Sequence, residues 1–495
     1  MNIFNLLIKQ KIKNRNKIAL LINEEEYSFE KLTDKIIKMI SFFKKSGIDH
    51  KSKILILEDN SIYHILTLLA ASYLNITVIP IGTNYNPQQV KNFIKITNAD
   101  CIIGNSAHIK FFKNIKQIKI VIETNKKGFD DSIQKKDDTK KYLKKNIYTN
   151  KNYIISMTSG STSSPKPIIF TQNNKIIRYK LFKKLFNIDS SDTLILTSPI
   201  STSLGMRILF TSLLTGATCI IMRKFYPDLY FDFVKKYKVT FSALVPSQID
   251  ILFGNNNKHK KLSLKKGLLS ASSKLFDTTK KKIINKNITL FEMYGAAEVG
   301  TITYIKLNKK NKDSISVGRT YDKKISIKIL SENNKFLSSG QIGEILCKTP
   351  AKFKGYLGPD NLTNKAYFRG YFKTGDLGYL DKDNNLFYSG RKKNIIKRSG
   401  LNIYPEDIEN VLLQNSKFDE VAIIPITEES STKIILFVKK KNLLSYEYVR
   451  GICMKKLSTF QLPNEIKLIT KFPKTPSQKI DKLKIKEIYL KKLNN

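Results

Sequence analysis

Tryptophan is absent from the chain, and the four cysteines, Cys101, Cys219, Cys347 and Cys453, stand far apart with no CxxC pair. That scatter excludes a disulfide framework and a cysteine-based zinc site. The four histidines, His50, His64, His108 and His259, form no HxxxH pair, so no histidine metal motif is present either. Arginine is scarce, at nine of 87 basic residues. Against 41 acidic residues the formal charge is still +46, which raises the question of nucleic acid or an anionic membrane. Lysine, asparagine and isoleucine recur along the whole length, however, and an arginine-rich groove with interleaved aromatics is missing. The charge reads as compositional drift, and no specific nucleic-acid partner is expected.

No apolar run is long and clean enough for a membrane span. The best candidate, "ILTLLAASYLNITVIPIG", is interrupted by Asn75, Pro80 and Gly82 and reads as a buried helix followed by a strand. The opening "MNIFNLLIKQKIKNRNK" lacks the apolar core and small-residue cleavage site of a secretion signal. A cytoplasmic location is therefore expected.

What is present is the composition of a globular protein, 41% hydrophobic and 26% charged over 495 residues, enough for one large domain and a smaller one. From Thr193 to Glu292 short β-branched runs alternate with helical-period segments, as in "TLILTSPI", "GMRILFTSLLTG", "TCIIMRK", "DLYFDFVKKYK" and "TFSALVP". An earlier block repeats this order: "FEKLTDKIIKMISFFKKSG" is amphipathic, "KILILED" is a strand, and a helix and "ITVIPI" follow. The fold class is α/β, with a large N-terminal domain of two wound α/β lobes. After about Leu330, Gly-bearing segments such as "GQIGEILCK", "KGYLG" and "FRGYFKTGDLGYLDKD" predict a small β subdomain. Past "GRKKNIIKRSG" a helix at "PEDIENVLLQN", strands at "EVAIIPI" and "KIILFVKK", a helix near Tyr446 to Leu457 and strand "EIKLITKFP" predict a small α+β C-terminal domain. The boundary is expected near Lys393, giving units 1–392 and 393–495.

Five short stretches carry chemistry. "TSGSTSSPK", Thr158 to Lys166, gathers small residues and hydroxyls that let backbone N–H groups converge on an anion, with Lys166 adding charge. "YGAAE", Tyr294 to Glu298, puts a carboxylate beside an aromatic directly after the strand "ITLFEM". "TGDLGYLD" places Asp376 on a Gly-flanked turn, suited to ribose hydroxyls, and "GRKKNIIKRSG" supplies Arg391. "PKTPSQKIDK" puts Lys479 on a turn between strand and helix. Each alone reads sooner as a polar linker, surface turn or solvated charge than as a site.

In this order the stretches resemble the adenylate-forming (AMP-binding) superfamily of acyl-CoA synthetases, luciferase and peptide-synthetase adenylation domains, and the resemblance covers nearly the whole chain. It implies an ATP-dependent, AMP-forming ligase that makes an acyl adenylate from a small carboxylic acid and passes the acyl group to the thiol of CoA or of a phosphopantetheinyl carrier protein, an acidic partner compatible with the basic charge. A stand-alone adenylation unit of a peptide or polyketide assembly line is the alternative. A nucleotide-binding protein without turnover is a reading from another class.

By the same resemblance Thr158, Ser159, Gly160, Ser161, Thr162 and Lys166 hold the β and γ phosphates. Tyr294 stacks on adenine within the segment Gly295 to Ala297, Glu298 binds Mg2+, and Asp376 with Arg391 holds the ribose. Lys479 meets the carboxylate and α-phosphate in the first step. A mobile C-terminal domain turning about Lys393 brings Lys397 and Gly400 to line the thiol's approach in the second. Several positions depart from the family pattern: Ser163 and Pro167 in the phosphate loop, Ala297 for a hydroxyl residue, Gln478 before the last lysine, and Thr202 where a histidine is frequent. The acid pocket is expected to have a neutral lining of Ser, Thr, Leu and Ala, which fits an acyl, aryl or small hydroxy acid.

Overall fold

The computed structural model describes residues 2–125, 129, 150–157, 166–254, 261–271, 275, 277–311, 314–398, 401–415, 417–428, 431–439, 444–475 and 480–493. Two large sheets carry the N-terminal part. The eight-stranded sheet runs in the order Gly300–Leu307, Leu290–Ala296, Gly267–Ser270, Phe241–Leu244, Thr193–Leu196, Thr218–Ile221, Ile18–Ile22 and Glu25–Ser28. Its inner pairings are parallel, and both outermost pairings are antiparallel. The seven-stranded sheet runs Gly355–Tyr356, Pro167–Thr171, Asn152–Met157, Thr77–Ile81, Lys53–Leu57, Cys101–Gly104 and Ile120–Glu123. Runs such as "TVIPI" and "CIIG" are buried along their whole length, as parallel strands covered on both faces require.

The stretch "ILTLLAASYLNITVIPIG" divides as its interruptions predict. Helix Ile62–Leu74 starts on the Ser61 side chain and ends at Asn75, whose φ of 57° turns the chain out of the helix. Strand Thr77–Ile81 follows. Among the described residues no helix is long and apolar enough to cross a membrane.

One continuous core joins the two sheets through helices Phe29–Lys45, Ile62–Leu74, Gln172–Phe186 and Ser203–Thr215. A five-stranded antiparallel sheet contains Ser326–Leu330, Gly343–Lys348, Tyr367–Phe368, Tyr371–Leu380 and Leu386–Arg391. "KGYLG" does not belong to it: Gly355 and Tyr356 pair with Ile169 and Ile168 and extend the seven-stranded sheet. This long-range pairing has no local sequence signal, which is why the motif reads as part of the β subdomain.

Beyond Arg391 the chain makes a short 3-10 turn at Lys392–Asn394, a hairpin of Ile396–Arg398 with Leu401–Ile403, and helix Pro405–Leu413. A sheet of Val421–Glu428, Ser431–Lys439 and Glu465–Ile469 closes over a separate apolar cluster that includes Ile408, Leu436 and Val449. Pro405 stands at the first turn of its helix, where a missing N–H costs nothing.

Candidate active site

Asp376 is not on a turn. It lies inside strand Tyr371–Leu380, paired across the ladder with Arg391 at the end of strand Leu386–Arg391. The departure from a turn has a local cause. Gly375 takes a φ of +70°, the left-handed region that glycine reaches without strain. The Asp376 N–H then donates to the Thr374 hydroxyl at 3.1 Å, and that hydroxyl donates to the Ile345 carbonyl at 2.7 Å.

The Asp376 carboxylate is 2% exposed and both its oxygens are engaged. The Arg391 Nε lies 2.7 Å from Oδ1, and the Tyr294 hydroxyl donates to Oδ2 at 2.7 Å. Arg391 also donates to the Thr374 carbonyl at 3.2 Å. Burial, and then the Asp376 charge, push the Tyr294 phenol well above its ordinary value. Tyr294 therefore remains a proton donor to Asp376 at neutral pH.

"YGAAE" does not simply follow a strand: strand Leu290–Ala296 continues through Tyr294, Gly295 and Ala296, with an irregularity between Tyr294 and Gly295. The antiparallel partner strand starting at Gly300 keeps it extended. Gly295 has no room for a side chain, since a Cβ there would meet the Gly300 carbonyl oxygen at 2.0 Å. Arg178, from helix Gln172–Phe186, fixes the turn that follows. It donates to the carbonyls of Ala297 and Glu298, each at 2.9 Å, and to that of Ala351 at 2.8 Å.

The Glu298 carboxylate receives the Tyr356 hydroxyl at 2.9 Å. Burial first, and the Glu298 charge second, raise the Tyr356 phenol far above its usual range, so it too stays a donor. The Lys166 ammonium lies 5.7 Å from the centre of the Tyr356 ring, within cation–π range. Lys393 belongs to the same neighbourhood: burial, then the charges of Arg391 and Lys166, lower its pKa. Tyr294, Glu298, Lys166, Asp376, Arg391 and Lys393 are thus linked through direct contacts or mutual electrostatics, and Ala297 and Gly295 supply the backbone between them.

Thr158, Ser159, Gly160, Ser161, Thr162, Ser163, Gly400, Gln478 and Lys479 lie outside the described residues. The strands flanking the first group pair with Met157 opposite Pro167; Pro167 opens its strand, a position proline tolerates. Lys397 pairs through its backbone with Asn402. Thr202 caps helix Ser203–Thr215: its hydroxyl accepts from the Gly205 N–H at 3.2 Å and donates to the Pro199 carbonyl at 2.7 Å.

Two adjoining hollows of about 20 and 10 Å3 share Arg178 and Arg207, and the larger also meets Lys175. Sequence reasoning missed these cations, although a signal existed. Lys175 falls in register with Tyr179, Phe182 and Phe186, the buried face of its helix. Tyr356 and Thr374 were likewise not singled out from sequence.

No group of three or more His, Cys, Asp or Glu side chains suited to a metal occurs among the described residues. A lone carboxylate such as Glu298 fits a Mg2+ that takes most of its oxygen ligands from phosphates, which is how this ion is usually held.

The model of a family described as AMP-binding enzyme matches residues 8–357. An uncharacterised acyl-CoA ligase of Bacillus subtilis is 23% identical over 482 residues, covering 95% of each chain. Indoleacetate–CoA ligase of Aromatoleum aromaticum is 23% identical, covering 96% of each chain. The fold is similar to that of o-succinylbenzoate coenzyme A synthetase from Bacillus subtilis, solved in complex with ATP and magnesium ion, at a TM-score of 0.88 and 19% identity over 97% of this chain and 99% of that one.

Proposed function

The chain belongs to the AMP-binding enzyme family, and on that premise we propose that it joins a small carboxylic acid to the thiol of CoA, consuming ATP and releasing AMP and pyrophosphate. The observation that carries the reading is the Asp376–Arg391 pair braced by Tyr294, which stands four residues before the Glu298 carboxylate. The names of the relatives as CoA ligases support the same reaction.

In this reading the substrate carboxylate attacks the α-phosphate of ATP, the bond to pyrophosphate breaks, and an acyl adenylate results. The thiol then attacks the acyl carbon, AMP leaves, and the thiol proton passes to solvent. Catalysis of the first step is mainly alignment and charge neutralisation. Asp376 and Arg391 orient the ribose, Asp376 as acceptor. The Tyr294 ring, held through its hydroxyl, offers a face to adenine beside Gly295 and Ala297.

Glu298 is the magnesium ligand, and a bound Mg2+ offsets phosphate charge. Thr158 to Thr162 and Lys166 take the β and γ phosphates. Lys479 serves the adenylating step. Lys397 and Gly400 serve the thiol step, after rotation about Lys393 of a C-terminal unit 393–495 against the unit 1–392. The separate core that includes Ile408 and Val449 supports that division. A carrier-protein thiol is the other acceptor considered, and a cytoplasmic setting suits an enzyme fed by ATP and CoA.

The test is product analysis. Incubating the protein with ATP, Mg2+, CoA and a panel of acids should yield AMP, pyrophosphate and a thioester in equal amounts. Nucleotide binding without AMP formation from any acid would overturn the reading. Replacing CoA by a phosphopantetheinylated carrier protein separates the two acceptors.

A further inference from the structure

Resting on that ligase reading, we infer that the acid is a dicarboxylate, whose far carboxylate is received by Lys175 and Arg207. The argument begins with charge. Lys175 is 6% exposed and Arg178 8%, and half-buried Arg207 lines the same two hollows. Two cations that deep in a fold ordinarily face a carboxylate, because an uncompensated buried charge is costly. Among the described residues none of the three makes a salt bridge.

The three cations differ in how far their donors are used. Arg178 is committed: its three carbonyl acceptors hold the turn at Ala297 and Glu298. Arg207 gives one good hydrogen bond, from Nη1 to the Thr301 hydroxyl at 2.8 Å, and a long contact to the Met293 sulfur at 3.9 Å. Lys175 lies 3.8 Å from the centre of the Phe170 ring, a contact that accepts no proton. Burial, followed by the charges of Arg178 and Arg207, drives its pKa well down. An anion arriving beside the amine opposes that shift and favours its charged form.

Position and size agree. Arg178 and Arg207 flank the chain from Ala297 to Thr301, which continues directly from Tyr294. Thr301, the partner of Arg207, stands three residues after Glu298, the proposed Mg2+ ligand, so an anion held at Arg207 lies beside the segment that carries the proposed ATP contacts. The hollows, at about 20 and 10 Å3, have room for about one water-sized group each, enough to admit a carboxylate oxygen and not an aromatic ring. The larger is lined by Lys175, Arg178, Tyr179, Ser203 and Arg207 on its polar side and by Met206 and Phe210 on its apolar side.

The experiment compares matched acids in carboxylate-dependent exchange of labelled pyrophosphate into ATP. Succinate, glutarate and adipate are paired with their monoamides, which keep length and reacting carboxylate but lose the second charge. At least one diacid should exceed its monoamide by about 100-fold in kcat/KM, the factor a charge-assisted hydrogen bond to a desolvated cation supplies. In Lys175→Met and Arg207→Met that preference should drop to about tenfold or less. Lys175→Met should also keep or raise the Tm of the free protein, since it removes an uncompensated buried amine. A lysine that merely held the fold would lower Tm and leave the preference intact, and that result overturns the inference. Exchange with monoamides equal to or above that with diacids overturns it too, while the ligase reading stands. No exchange with either series or with any other acid removes the ligase reading and this inference with it.

Discussion

Arg391 stands directly across the ladder from Asp376, its Nε 2.7 Å from one carboxylate oxygen while the Tyr294 hydroxyl holds the other at 2.7 Å. One buried carboxylate thereby fixes an arginine from the end of one strand and a tyrosine from another sheet. Replacing Asp376 by Asn keeps the shape and removes the charge. Losing one charge-assisted interaction costs about 1.5–3 kcal/mol, so ATP affinity measured by calorimetry should fall by about tenfold to a hundredfold, with a lowered Tm because Arg391 loses its counter-charge.

Tyr294 separates ring from hydroxyl. Tyr294→Phe removes the hydroxyl that donates to Oδ2 of Asp376 at 2.7 Å, which costs about 1–3 kcal/mol of stability and should appear as a lower midpoint in urea. ATP affinity should decline modestly. Tyr294→Ala should reduce it further, because the stacking face is gone as well. Equal nucleotide affinity in both variants would contradict a role for the ring.

Glu298→Gln tests the magnesium assignment. Tyr356 still donates to the amide oxygen, so the local fold is retained and Tm should move little. Adenylation should fall by about a hundredfold or more, as loss of a charge stabiliser at a reacting phosphate commonly gives, and the Mg2+ concentration for half-maximal rate should rise. An unchanged Mg2+ dependence would place the metal elsewhere.

His64 makes the protein acid-sensitive at a distance from this chemistry. Its Nδ1 lies 3.2 Å from the Asp59 carbonyl, its Nε2 is buried without a partner, and burial pushes its pKa down to about 4. Between about 6.5 and about 4 the unfolded chain binds a proton that the folded one does not. Stability from this group is thus complete above about 6.5 and falls as pH drops through the window, by about 3 kcal/mol in all. Urea midpoints measured from pH 7 to 4 should fall steeply in the wild type and less steeply in His64→Leu.

Much of the scaffold is legible in the sequence, because its signals are local. "TLILTSPI", "GMRILFTSLLTG" and "TCIIMRK" become strand, helix and strand, and the helix ends at Gly216 with φ of +84°. Asp376, Arg391, Tyr294 and Glu298 are readable as motif residues, yet not their mutual contacts. Asp376 reads as a turn residue because two glycines flank it, whereas the Thr374 hydroxyl and the cross-strand Arg391 keep it in a strand. Tyr356 reaches Glu298 through pairing with a strand nearly two hundred residues earlier, which no local pattern announces. Lys175 hides in plain view: among 87 basic residues, a lysine on the apolar face of a helix looks like one more surface charge.

The central claim is that this site activates a carboxylate by adenylation, and exchange of labelled pyrophosphate into ATP tests it most directly. The account predicts exchange that requires both Mg2+ and an added carboxylic acid and that is lost in Glu298→Gln. Tight ATP binding with no acid-dependent exchange over a broad panel of mono- and dicarboxylates would contradict it.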